Sequence, residues 1–170
     1  MIPLKKSKQF SDGSPMKIEH SPVTGREEKS TLSPPMRALS DFYEALNGRS
    51  IEKMAKNWFQ TDEAAMDNPL GGIMRGWTEI RTVYERLFNS RSEFSFEFHD
   101  YSFHSAGDIF YVVGRERGEL RTGSEVFNLA IRTSRIFRLT NGRWQQVHHH
   151  GSIDDPDVLA KYQKAVRAIS

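Results

Sequence analysis

From Pro35 onward the apolar residues recur at helical spacing. Met36, Leu39, Phe42, Tyr43 and Leu46 fall three and four apart, which predicts a helix ending at "NGRS", where Gly48 is expected to supply a left-handed cap. Ser50 then reads as the N-cap of a short second helix, "IEKMAKNWF". A polar loop, "QTDEAAMDNPLGGIMRG", follows with Asn-Pro and Gly-Gly as breakers. In "WTEIRTVYERLF", Trp77, Ile80, Val83, Tyr84, Leu87 and Phe88 share one side and predict a third helix. Beyond it the period changes from 3.6 to 2. Phe94, Phe96 and Phe98 alternate with Ser95, Glu97 and His99. Three long strands follow, over "IFYVVGRERGELR", "EVFNLAIRTSRIFRL" and "RWQQVHHHGS", with Asn141-Gly142 as the hairpin turn between the last two. Asp154 or Asp155 as N-cap, Pro156 in the first turn and the stripe Val158, Leu159, Tyr162, Val166, Ile169 predict a last helix.

Three helices followed by a meander of long antiparallel strands imply an α+β fold: a cone or half-barrel in which a curved sheet packs on the helices. The space between the two layers is the natural place for a ligand. Residues 35–170 form this single domain, a chain long enough to bury a core without metals or disulfides. Residues 1–34 hold four of the seven prolines and only scattered apolar residues, so they read as a flexible tail.

Charge and composition narrow the functional classes. The tail carries six Lys/Arg against four Asp/Glu, whereas residues 35–170 carry eighteen of each. The folded part has no basic excess, so nucleic acid is not expected as a partner. No apolar run reaches the roughly 18 residues of a membrane span, and the N-terminal lysines precede no apolar core, so a cytoplasmic protein with no membrane partner is expected. Without cysteines there are no disulfides, thiol nucleophiles or thiolate metal sites.

The loop "DNPLGGIMRGWTEI", the strand "HSAGDIFYVVGRERG" and above all "TSRIFRLTNGRWQQVHHHGS" resemble SnoaL-like members of the nuclear transport factor 2-like superfamily. That superfamily includes ketosteroid isomerase, polyketide cyclases, scytalone dehydratase and the association domain of calmodulin-dependent kinase II. The resemblance covers about residues 35–165. Its pattern Arg-x-x-Arg-x-x-x-Gly-Arg-Trp-x-x-Val-His-x-His-x-Ser identifies the fold and the kinase-association-like branch better than any activity, because one fold hosts many chemistries.

Candidate residues follow partly from pattern and partly from this resemblance. Regular alternation along "RWQQVHHHGS" puts Trp144, Gln146, His148 and His150 on one face and Gln145, Val147 and His149 on the other. His148 and His150, roughly 7 Å apart by the usual strand rise, then serve either as structural hydrogen-bonding groups or in a pocket. His149 is expected in solvent or in packing. Two imidazoles with no nearby carboxylate in sequence fall short of a metal site, so neither metal nor cofactor is expected.

Similarity to ketosteroid isomerase-like enzymes implies Asp67 as a proton-abstracting base with Asn68 beside it, and Tyr43 as a donor to an enolate oxygen. Asp67 also reads as a turn residue beside Asn-Pro. No second acid is evident on the neighbouring strands, where Tyr111, Val113 and Arg115 line one face. Similarity to the kinase-association branch places Arg135 inside the cavity as a binder of small carboxylates, or else paired internally with Glu116 or Asp67. Val113 stands where that branch has its second cavity arginine, with Arg115 two residues on. Trp58, with Phe59, Trp77 and Tyr84, reads as core or as a ligand platform. The resemblance further implies a homodimer joined through the convex faces of its sheets.

The expected function is therefore a small-molecule-binding SnoaL-like domain, as an isomerase, dehydratase or cyclase acting on a hydrophobic carbonyl compound. The alternative is a non-catalytic oligomerisation or sensing module that binds a small carboxylate through Arg135.

Overall fold

Helix α1, Pro34–Asn47, opens on two prolines whose fixed φ suits a first turn and whose missing N–H groups cost nothing there. Its apolar stripe buries Leu39, Phe42, Tyr43 and Leu46. The structure, a computed structural model, describes residues 16–167. The stop of α1 differs from the expectation: Gly48 stays right-handed at φ −81°, and Arg49 takes the left-handed turn at φ 51°. Tertiary bonds hold that strained residue, since the Arg49 guanidinium donates to the carbonyls of Phe88, Ser90 and Ser92 and lies 4.6 Å from the centre of the Phe94 ring.

Helix α2, Ile51–Asn57, begins where Ser50 Oγ accepts the Lys53 N–H. Helix α3, Gly76–Asn89, buries Ile80 and Tyr84. Between them the segment expected as a loop contains two short strands, β1 (Ala65–Asp67) and β2 (Met74–Arg75). Strands of three and two residues are too short to show a period, which is why alternation missed them.

Strands β3 (Glu93–Ala106), β4 (Ile109–Thr122), β5 (Glu125–Thr140) and β6 (Arg143–Ile153) form the long antiparallel meander. The sheet order is β2-β1-β6-β5-β4-β3, with β1 parallel to β6 and the rest antiparallel. Asn141 and Gly142 both take positive φ at the β5–β6 turn, as an Asn-Gly hairpin requires.

One face of the sheet turns inward against α1 and α3 and carries Phe96, Phe98, Phe110, Val112, Leu129, Ile131 and Phe137, all buried. Phe94 packs against the same core, so the apolar face of β3 is the concave one. Bending is helped at Gly118, where a Cβ would come within 2.2 Å of the Ser95 carbonyl oxygen and 2.4 Å of the Phe96 ring. A bulge at Asp100, with φ 47°, adds to it.

The N-terminal boundary also departs from the sequence reading. Residues 1–15 of the expected tail lie outside the described residues, but Glu19 to Val23 pair with the edge strand β3, and Glu27 and Lys29 then bond α1 at Ser40, Asp41 and Glu44. Glu19 pairs with Tyr101 and Val23 with Phe98, and Val23 is buried. Gly25, at φ 84°, sits so close to α1 that a Cβ would lie 2.3 Å from the Glu44 nitrogen. Asn47 covers the next stretch of the edge, accepting the Phe96 N–H at 2.9 Å and donating to its carbonyl at 2.8 Å. A polar segment can thus be held by one buried valine and backbone pairing, neither of which composition reveals.

Helix α4, Pro156–Arg167, is capped by Asp155, whose Oδ1 accepts the N–H groups of Asp157 and Val158 at 2.9 and 3.1 Å. It lies across the open end of the cone, with Val158, Tyr162 and Val166 packed on the core. Among the described residues no helix is long and apolar enough to cross a membrane.

Candidate functional site

A charged network lies at the centre of the concave face. Inward positions on β5 alternate Ile131, Thr133, Arg135 and Phe137, and Arg135 is 1% exposed. Its Nη2 donates to Glu116 Oε2 on β4 at 2.6 Å, and its Nη1 donates to Gln146 Oε1 on β6 at 2.8 Å. Tyr43 of α1 donates its phenol to the same Glu116 Oε2 at 2.9 Å. The guanidinium also lies 3.6 Å from the centre of the Phe42 ring. Glu116 is therefore the internal partner of Arg135, and Asp67 is not.

Low dielectric and close pairing set the proton affinities here. Burial pushes the Tyr43 phenol well above its ordinary range, and the negative Glu116 beside it pushes the same way. Tyr84, bonded to Trp58 Nε1 at 3.3 Å, is pushed up to about 12, mainly by burial. For Arg135, burial acts to remove the proton, but the surrounding Tyr43, Glu116 and Tyr84 oxygens outweigh it, so the guanidinium stays charged. The pair contributes no net charge to the interior.

Three side chains of this region carry polar atoms that lack partners. Arg135 Nε, Gln146 Nε2 and both ring nitrogens of His149 are buried without a hydrogen bond. His149 is directly opposite Arg135 across β5 and β6 and is 7% exposed. Burial first, and then the charge of Arg135, lowers its proton affinity well below the ordinary 6.5, so its ring is neutral at pH 7.

The inward position of His149 corrects the regular alternation read from sequence. The β5–β6 register shifts between Ile136 and Phe137, which pair with His148 and Gln146, leaving Val147 as the extra residue of a bulge. One extra residue inverts every face beyond it. Gln146 and His149 consequently face inward, while His148 and His150 face out.

On the outer side, β1 brings Asp67 beside both outward histidines, since Ala65 pairs with His148 and Asp67 with His150. Asp67 Oδ2 lies 2.6 Å from His150 Nδ1, and Oδ1 lies 3.7 Å from His148 Nε2. The three residues do meet, but across the sheet from Tyr43, so the pairing of Asp67 as base with Tyr43 as oxyanion donor does not form in one site. Among the described residues no three His, Asp or Glu side chains form a group that could hold a metal ion.

Tyr111 and Arg115 share one face, as read, but it is the outer one. Tyr111 is stacked on His104 at 4.6 Å between centres, and Arg115 pairs with Asp154 at 3.2 Å. Trp58 is fully buried. Asn68 sits at the mouth of the cone, with its Oδ1 accepting the Leu70 N–H at 2.9 Å.

That mouth holds a cavity of about 210 Å³ between α3, α4 and the sheet, lined among others by Asn68, Leu70, Met74, Val83, Leu120 and Tyr162. Leu120 lies on the same inward face of β4 as Glu116, four residues on. Tyr162, on α4, is pushed up to about 12, by burial first and then by the charge of Glu116. None of Glu116, Arg135, Gln146 and His149 lines this cavity; Tyr162 is the wall residue whose proton affinity feels Glu116. The sequence offers Glu116 only as one of two internal partners for Arg135, and it misses the inward role of His149. Parity with Val112 and Leu120 could have marked Glu116 as inward, whereas the bulge that turns His149 leaves no sequence signal.

The described geometry agrees with the family comparison: the SnoaL-like domain matches residues 36–156. The F-box protein SKIP8 of Arabidopsis thaliana is 25% identical over 143 residues, covering 82% of this chain and 59% of that protein. The chain thus spans less than two thirds of that relative. A putative dehydratase of the NTF2-like family from Streptomyces avermitilis superposes with a TM-score of 0.62 at 18% identity, over 68% of this chain and 90% of that one. A putative calcium/calmodulin-dependent protein kinase type II association domain from Thiobacillus denitrificans gives 0.59 at 22% identity, over 73% and 98%. At such identities the two structures speak for the fold alone.

Proposed function

The chain belongs to the SnoaL-like domain family, and from that premise we propose that it binds a small, largely apolar molecule in the mouth of the cone, with a neutral polar end on the Glu116–Arg135–Gln146 network. The observation that carries this reading is the set of buried, unpartnered groups at Arg135 Nε, Gln146 Nε2 and His149. An unsatisfied buried polar group costs about 1–3 kcal/mol, so three side chains with such groups in the cone interior favour a bound hydrogen-bonding atom.

Charge balance selects the ligand class. Arg135 is already neutralised by Glu116, and His149 carries no charge at pH 7. At the network itself a carboxylate would find no spare positive charge, whereas a ketone or amide oxygen can accept from the donors present; Arg86 and Arg167, which also line the cavity, are not part of that network. This favours the hydrophobic carbonyl compound over the small carboxylate.

Isomerase, dehydratase or cyclase activity would require proton transfer inside the cone. There, Glu116 and Tyr43 are the groups in contact, in place of Asp67. Both Glu116 bonds fall on Oε2, which leaves Oε1 to accept from a ligand. Exposed Ile109, Tyr111 and Val113 on the outer face support the homodimer, at a different part of the sheet from Phe94, Phe96 and Phe98.

The test is a thermal-melt series on the whole chain with paired ligands of equal chain length, one a ketone and one a carboxylate. A native-state ligand raises the melting temperature by mass action. The ketone is expected to stabilise the wild type and to lose its effect in Glu116→Gln. Stabilisation by the carboxylate alone would reverse the assignment.

A further inference from the structure

A second cavity, on the opposite side of α1 from the sheet's charged network, is assigned no role by the reading above. It measures about 450 Å³ and lies between α1, α2 and the β5–β6 hairpin. Arg37, Lys53, Lys56 and Arg143 line it, against Asp41 and Glu44. Both acids are already paired: Lys29 meets Asp41 at 2.9 Å and Glu44 at 3.2 Å, and Lys53 also bonds Glu44. Among the described residues, Arg37, Lys56 and Arg143 have no carboxylate partner. Three uncompensated cations around one concave space make it a place for an anion.

Two further features ask for more than an anion. Asn57 is 5% exposed and lines the same cavity. Its Nδ2 donates to the Ala38 carbonyl at 2.8 Å, which fixes the amide orientation and leaves Oδ1 as a buried acceptor without a donor. Trp144, half-buried, supplies an indole to the wall, its ring braced edge-on against Phe110 at 5.0 Å. The volume falls within the roughly 300–1,000 Å³ usual for small-molecule sites.

We propose that this cleft binds a small aromatic anion: a flat ring packed at Trp144, an N–H donor on the ring reaching Asn57 Oδ1, and a phosphate or carboxylate held by Arg37, Lys56 and Arg143. Nucleoside monophosphates and amino-substituted aromatic acids share this chemistry. The site is independent of the cone interior, since Arg135 and Glu116 take no part in it.

The test is titration of the full chain at low salt, read by tryptophan fluorescence and checked by calorimetry, with adenosine monophosphate and 4-aminobenzoate as probes. Adenosine and inorganic phosphate each carry half of the recognised features. At least one probe should bind about tenfold more tightly than both halves. Charge reversal at exposed positions, Arg37→Glu and Arg143→Glu, should weaken that probe about tenfold or more without moving the melting temperature. Asn57→Asp should weaken it as well, because a carboxylate replaces the amide that the anionic ligand approaches. If neither probe saturates up to about 10 mM, or if Arg37→Glu and Arg143→Glu leave binding unchanged, the proposal is overturned.

Discussion

Two clusters of polar residues sit back to back on the same stretch of sheet, and they obey different physics. Inside, Arg135, Glu116, Gln146 and Tyr43 are cut off from water, so each charge depends on its partner. Outside, His148 and His150 retain solvent, with side-chain exposures of 34 and 49%, and Asp67 is 29% exposed although its Oδ1 is itself buried without a hydrogen bond. The lesson is that residue type does not decide the role. Alternation divides three adjacent histidines between the two regimes, and one extra residue, Val147, decides that it is His149 that enters the interior.

The sharpest way to break this contrast is to remove one member of the inner pair. Glu116→Leu strands a buried guanidinium and is expected to cost about 3–5 kcal/mol in urea unfolding. Adding Arg135→Met to that variant removes the stranded charge. The double variant should therefore be more stable than the sum of the single losses predicts, which a double-mutant cycle will show.

His149 gives the next effect, and its sign is fixed by linkage. Its proton affinity is lowered on folding, so below the ordinary 6.5 the unfolded chain binds a proton that the folded chain refuses. The stability from this group is full above pH 6.5 and falls by about 1.4 kcal/mol per pH unit below it, until the folded ring protonates. His149→Met should flatten that fall between about pH 6.5 and 5, measured as the unfolding free energy against pH. An unchanged slope would mean that the ring is charged, or reached by water.

Smallest of all should be the outer cluster. Asp67→Asn is expected to change stability by less than about 1 kcal/mol, because its partners His148 and His150 stay in contact with solvent and the pairs are partly screened. It should leave ligand-induced melting shifts intact. A loss of ligand response in Asp67→Asn would erase the distinction between the two faces.

The fold was legible because long elements carry strong periods. Leu39, Phe42, Tyr43 and Leu46 announce α1, and Phe94, Phe96 and Phe98 announce β3. Alternation shows that those phenylalanines share a face but does not say that the face is concave. Likewise, Tyr111 and Arg115 share a face whose outward direction depends on where the helices pack. The site was legible only in fragments. Arg135 was identified as interior and Glu116 as one of two internal partners, whereas Val147's bulge and the short strand β1 are settled by pairing between distant segments. The segment from residue 16 was read as tail because Val23 is one buried residue amid polar ones.

A neutral acceptor that engages the unpartnered donors of the inner network must perturb their N–H groups. The most direct measurement is the side-chain N–H spectrum of the ¹⁵N-labelled full chain during titration with an apolar ketone, followed at Arg135 Nε–H and Gln146 Nε2–H. These resonances are expected to shift saturably and together, and an equal-length carboxylate is expected to leave them in place. Shifts confined to groups outside the cone, or a response to the carboxylate alone, would contradict that engagement.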